Sequence, residues 1–116
     1  MLGFMAQRAI ASVESIDTGD GGQWRRTLTC RAPGGAAISG WLAARFVSDR
    51  NELQLALAPQ LTPWLGDVLL RVRQALDLDA DPSLIDPVLR VLGTTEGTRL
   101  PGGIDGFETA TRVILG

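Results

Sequence analysis

The sequence holds no histidine, no tyrosine and no lysine, and only one cysteine, Cys30. Without histidine there can be no Ser-His-Asp triad, no histidine general base and no His-ligated zinc. A lone thiol forms no internal disulfide and is no metal site. No apolar run approaches the ~20 residues that a membrane-spanning helix needs. Met1–Ile10 is mostly apolar, but it carries Arg8 and no basic leader, so it does not read as a signal peptide. An excess of positive charge is missing too: the net charge is -2 and the isoelectric point is near 4.9. That balance argues against a strong free-standing nucleic-acid binder, while leaving room for a local patch of arginines.

What is present suits one compact domain. The 116 residues are 45% hydrophobic and 21% charged, the balance of a folded globular chain. Residues 1–11 read as a helix with Leu2, Met5, Ala6, Ala9 and Val13 on one side and Phe4, Gln7 and Arg8 on the other. Val13–Asp17 looks extended, and Thr18–Gly22 is a turn cluster. Three runs then alternate with period two. They are Gln23–Ala32 (interrupted on its apolar face by Arg26), Ala37–Val47 and Glu52–Ala58, joined by short turns that favour an antiparallel meander.

The second half reads as helical. Thr62 is placed to cap a helix that opens on Pro63, with Leu61, Trp64, Leu65, Val68, Leu69, Val72 and Leu76 as its stripe. Asp81-Pro82 repeats the start signal, and Gly93 stops the helix that follows. A glycine-rich connector leads to a last helix, Ile104–Leu115, with Ile104, Phe107, Ala110, Thr111 and Ile114 on its apolar face. Strands followed by helices predict an α+β fold: a small curved antiparallel sheet with helices on one face.

Few residues suggest chemistry. Gly102-Gly103 matches neither a dinucleotide fingerprint nor a Walker A loop, so it reads as a turn. Asp77, Asp79 and Asp81 alternate, but the stretch lacks the glycine and closing glutamate of a calcium loop and reads as an acidic helix connector. Cys30 reads as a small buried hydrophobe. Asp105 and Glu108 could form an acid/base pair, yet both fall in a first helical turn, where negative charge favours the helix dipole. Phe4 is an apolar residue on a polar helix face. Either packing against a neighbouring loop or a contact beyond the sheet accounts for it.

Two stretches carry a family resemblance: MLGFMAQRAIASVESI at residues 1–16 and TRLPGGIDGFETATRVILG at residues 98–116. With the strands and the Thr62–Asp77 helix between them, they resemble DNA-3-methyladenine glycosylase II, of the helix-hairpin-helix DNA glycosylase superfamily, along essentially the whole chain. The resemblance implies a fold like half of the TATA-box-binding protein over residues 1–93. Residues 94–116 would be the connector and first helix of the helix-hairpin-helix domain.

The resemblance further implies excision of alkylated purines by N-glycosidic hydrolysis after base flipping, with no metal and no other cofactor. Phe4, and with it Arg8, would line the base pocket, and Leu100, Pro101, Gly102, Asp105, Phe107, Glu108 and Arg112 would form the domain junction. The catalytic aspartate of the family has no counterpart here, so the chain would be a fragment, inactive alone. Its implied partners are damaged double-stranded DNA and the missing helix-hairpin-helix domain, with no membrane, in a cytoplasmic monomer. A non-catalytic module that binds DNA or docks a separate catalytic chain is the alternative.

Overall fold

The computed structural model describes all residues, 1–116. Ten elements follow in order: α1 (Leu2–Gln7), β1 (Glu14–Asp17), β2 (Gln23–Arg31), β3 (Ala37–Val47), β4 (Glu52–Leu57), a 3-10 turn (Pro59–Trp64), α2 (Leu65–Ala75), α3 (Pro82–Leu89), a second 3-10 turn (Arg90–Leu92) and α4 (Gly106–Leu115). The fold is α+β, as the sequence predicts. No helix is long and apolar enough to cross a membrane. The chain divides into two compact units, Leu2–Leu65 and Gly66–Gly116, the latter with Met1.

The first unit is an antiparallel meander in the order β1-β2-β3-β4. Its register sets Ile16 against Trp24, Leu28 against Gly40, Cys30 against Ile38 and Phe46 against Leu53. Because side chains alternate between faces, this register gathers Trp24, Leu28, Cys30, Leu42 and Ala44 on one buried side. Cys30 is fully buried, as a small hydrophobe should be. The turn between β2 and β3 places Gly34 at φ +68°, a conformation that a side chain would strain.

Several element boundaries differ from the sequence reading, most of all at the first two helices. The first helix ends at Gln7 and not at residue 11. The chain must reverse before β1, and Ser12 at φ +70° turns it out of the helix while Val13 and Glu14 both donate to the Ile10 carbonyl. Within α1 the expected faces hold: Leu2, Met5 and Ala6 are half-buried, and Phe4 and Gln7 exposed.

Thr62 does not cap a helix. Its hydroxyl donates to the Pro59 carbonyl at 2.7 Å, within a 3-10 turn that encloses Pro63 and buries Leu61, and α2 starts only at Leu65. The early winding is tighter because Leu61 N–H bonds back to Ala58.

In the second unit Val68, Val72, Ala75, Leu76 and Ile104 are buried, whereas Leu69 from the expected stripe is exposed, as is Leu65 at the end of the first unit. Asp81 caps α3 as expected, accepting from Ser83 N–H at 2.9 Å and from its hydroxyl at 2.6 Å. Gly93 ends the following 3-10 turn in the left-handed conformation. The last helix begins at Gly106, with Ile104 outside it and buried.

Candidate functional site

Phe4 stands in the middle of α1 and is half exposed, at 50%. Arg8 follows one helical turn later and lays its guanidinium over the Phe4 ring, 3.9 Å from the centroid. The sequence spacing of four places the two side chains on the same helix surface. The guanidinium takes one π-face of a ring that stays half exposed. Structure therefore brings together the two residues expected to line a base pocket. It does so by stacking one on the other.

The residues expected at the domain junction all lie in the second unit, and most have identifiable local work. Leu100 N–H donates to the Asp77 carboxylate at 3.0 Å. Gly102 N–H donates to the Ala75 carbonyl at 2.9 Å, closing on the last turn of α2. A Cβ at residue 102 would stand 2.6 Å from the Gln74 carbonyl oxygen, and one at residue 103 would collide with the Thr109 side chain. The Gly102-Gly103 pair is thus a close-packing device. Asp105 caps α4 by accepting from Glu108 N–H at 2.9 Å. Glu108 in turn accepts from Arg112, Nε at 3.0 Å and Nη2 at 2.9 Å, one helical turn on. The capping reading of Asp105 and Glu108 is the one observed, and neither carboxylate is arranged as a general base. Pro101 is half-buried, while Phe107 points outward at 84% exposure.

The three alternating aspartates have separate duties. Asp77, at φ +52°, holds Leu100. Asp79 pairs with Arg73, which holds its carboxyl below the usual carboxylate range. Asp81 is lowered by the Ser83 hydroxyl first and by the Ser83 backbone second.

Two features escaped the sequence reading. Arg26, which interrupts the apolar face of β2, is only 6% exposed. It stands opposite Glu14 in the β1–β2 register, with a Nη1–Oε2 distance of 3.9 Å, while Trp24 donates its indole N–H to the same carboxylate at 3.0 Å. The signal was the pairing of an acid and a base across a hairpin, legible only once the register is known. Arg99 donates to the carbonyls of Asp77 and Ala80, at 2.7 and 2.9 Å, and nothing in its sequence neighbourhood announced that.

An antiparallel meander followed by helices, with an exposed aromatic–arginine pair at the short leading helix, defines the chain as an α+β protein. The family model described as AlkA N-terminal domain matches residues 1–105. The chain belongs to that family. It is 32% identical over 117 residues to "DNA-3-methyladenine glycosylase 2" of Escherichia coli (strain K12), a match that covers 100% of this chain and 39% of that protein. It is 33% identical over 129 residues to the "Probable bifunctional transcriptional activator/DNA repair enzyme AlkA" of Mycobacterium tuberculosis (strain CDC 1551 / Oshkosh), covering 99% of this chain and 23% of that one. The H37Rv strain of M. tuberculosis has a relative of the same description and the same identity. The chain therefore spans well under half the length of these relatives.

Proposed function

We propose that the chain is the N-terminal part of a DNA repair glycosylase that removes 3-methyladenine and other alkylpurines after flipping the damaged nucleotide out of the helix. The observation that best supports this is the half-exposed Phe4 ring with Arg8 on one face, in a member of the AlkA N-terminal domain family. An alkylated purine carries positive charge, and an aromatic π-face attracts such a ring. When the glycosidic bond breaks, its electron pair stays with the base and neutralises it, and water supplies the hydroxyl at the sugar carbon and loses a proton. Phe4 would hold the ring in place during that step, and Arg8 would fix the orientation of Phe4.

The chemistry itself falls to an aspartate outside this chain. Asp105 and Glu108 are committed to capping α4 and holding Arg112, which supports a chain that is inactive alone. Residues 94–116 are the connector and first helix of the helix-hairpin-helix domain in this reading. Leu84 and Val88 on α3, and Phe107 and Ile114 on α4, stand between 70% and 84% exposed. Exposed apolar side chains on these helices are what a docked domain would cover, and the helix-hairpin-helix domain is the proposed partner. The whole is proposed to be a cytoplasmic monomer that acts on damaged double-stranded DNA without a cofactor.

The test is a chimera in which this chain replaces the matching segment of the E. coli relative. The chimera should release 3-methyladenine from alkylated DNA, and the isolated chain should release none. Phe4→Ala in the chimera should lower kcat/KM for the alkylated base by about thirtyfold, the scale of one lost cation–π contact in a desolvated site. A well-folded chimera that excises nothing would overturn the reading.

A further inference from the structure

The outward face of the sheet has no part in the reading above. Trp41 stands there half exposed, at 50%, on the side of β3 opposite to the buried Leu42. Its neighbours on that face are small: Thr27 directly across, Ser39 and Ala43 along the strand. Along β2 the same face reads Arg25, Thr27, Thr29 and Arg31, two exposed arginines separated by hydroxyls. The Thr29 and Ser39 hydroxyls are hydrogen-bonded across the strands at 2.8 Å. Carboxylates reach this face only at one end, with Asp17 opposite Gln23 and Glu52 opposite Val47. On this face no acid stands in register with Arg25, Thr27, Thr29 or Arg31; Glu14, opposite Arg26, belongs to the buried side. Beside Trp41 lies an open cleft of about 510 Å³ lined by Ser15, Arg25, Thr27 and Trp41, and also by Glu14 with the Arg26 it faces.

We propose that this face of the β2–β3 hairpin binds an unpaired stretch of nucleic acid, a base stacking on the Trp41 indole beside the cleft and Arg25 and Arg31 taking its phosphates. A π-face with low neighbours and flanking cations is what a sequence-tolerant single-strand site requires, since every base offers a ring and every nucleotide a phosphate. The two arginines are ~20 Å apart along the strand, the reach of a few nucleotides. Charge complementarity selects this occupant: the chain as a whole is negative, and this stripe is locally positive. A duplex fits less well, because its bases are stacked on one another and unavailable to the indole. Repair opens DNA around a damaged base, and such a face would hold a strand so exposed.

The test uses the whole chain and a fluorescently labelled, undamaged oligothymidylate, read by anisotropy. Binding should weaken about tenfold or more in Trp41→Leu and remain in Trp41→Phe, which keeps a stacking ring. A pair of phosphate contacts gives a salt slope of about -1.4, so a fourfold rise in salt should weaken binding by roughly sevenfold. Arg25→Gln should halve that slope, and Arg45→Gln, in the row that reaches Gln23 and Asp17, should leave it unchanged. Circular dichroism checks that each variant is folded. Absence of binding at low salt, equal binding by folded Trp41→Leu, or equal affinity for duplex would each overturn the proposal. So would self-association that depends on Trp41 without oligonucleotide binding, which would assign the face to a second copy. The probe carries no lesion, so failure here leaves base excision untouched, and an inactive chimera leaves this site untouched.

Discussion

Gly102 sits on the surface, where a glycine-to-alanine change is ordinarily harmless or helpful. Replacing Gly with Ala reduces the freedom of the unfolded chain and stabilises by about 0.4–1 kcal/mol where the backbone tolerates it. Here it should do the reverse. The new methyl would lie 2.6 Å from the Gln74 carbonyl oxygen and 3.3 Å from its carbon, both backbone atoms of α2 that cannot rotate away. Relief requires the connector to lift from the helix, which lengthens the 2.9 Å bond from Gly102 N–H to Ala75. Overpacking of this kind costs about 1–3 kcal/mol, and the weakened hydrogen bond about 0.5–1.5 kcal/mol. After the entropic offset, Gly102→Ala should be destabilising by about 1–3 kcal/mol. The control is Gly66, in the first turn of α2, where a Cβ would meet nothing within 4 Å. Gly66→Ala should stabilise by about 0.5–1 kcal/mol. Urea denaturation followed by far-ultraviolet circular dichroism measures both. If Gly102→Ala matched or exceeded the parent in stability, the close-packing account of the Gly102-Gly103 pair would fail, and a role in binding would have to replace it.

Two further perturbations probe named interactions. Glu14→Ala should cost about 3–5 kcal/mol, because it removes the carboxylate that faces the Arg26 guanidinium, whose side chain is 5% exposed, and with it the acceptor of the Trp24 indole. The double variant Glu14→Gln with Arg26→Met keeps an acceptor and removes both charges, so it should cost less than Glu14→Ala; denaturant midpoints decide, and a cost under about 1 kcal/mol for Glu14→Ala refutes the buried-pair reading. Asp81 has its carboxyl lowered by Ser83, so its contribution to α3 is present above the ordinary carboxylate value of 3.8 and is lost as pH falls through the lower folded value. Asp81→Asn should remove that part of the acid dependence, and an NMR titration that places the Asp81 midpoint at or above 3.8 would contradict it.

Period-two patterning was enough to place β2, β3 and β4, because alternation is a direct projection of one buried face. It put Arg26 on the apolar face but could not reveal what accompanies the charge there, since that depends on Glu14 arriving opposite from another strand. Capping was legible at Asp81 and Asp105, where side chain and helix start are neighbours in sequence. It misled at Thr62, where burial of Leu61 tightened the chain into a 3-10 turn and shifted the start of α2. Phe4 was readable as out of stripe, and its half-exposure agrees. That Arg8 would lie on its ring is a tertiary detail no periodicity encodes. The glycines of the Leu100–Gly103 stretch read as turn residues, and only the distance to Gln74 shows what they make room for.

The connector between α3 and α4 looks in sequence like a slack tether. It is riveted at four points: Gly97 to Asp86, Arg99 to the carbonyls of Asp77 and Ala80, Leu100 to Asp77, and Gly102 to Ala75. Three of those rivets lie at or just beyond the end of α2. α4 therefore takes its bearing from α2 and not from the covalent path through α3. A protease nick near Thr94 would cut the thread and leave the helix still aimed, and anything mounted on α4 inherits the stiffness of that joint.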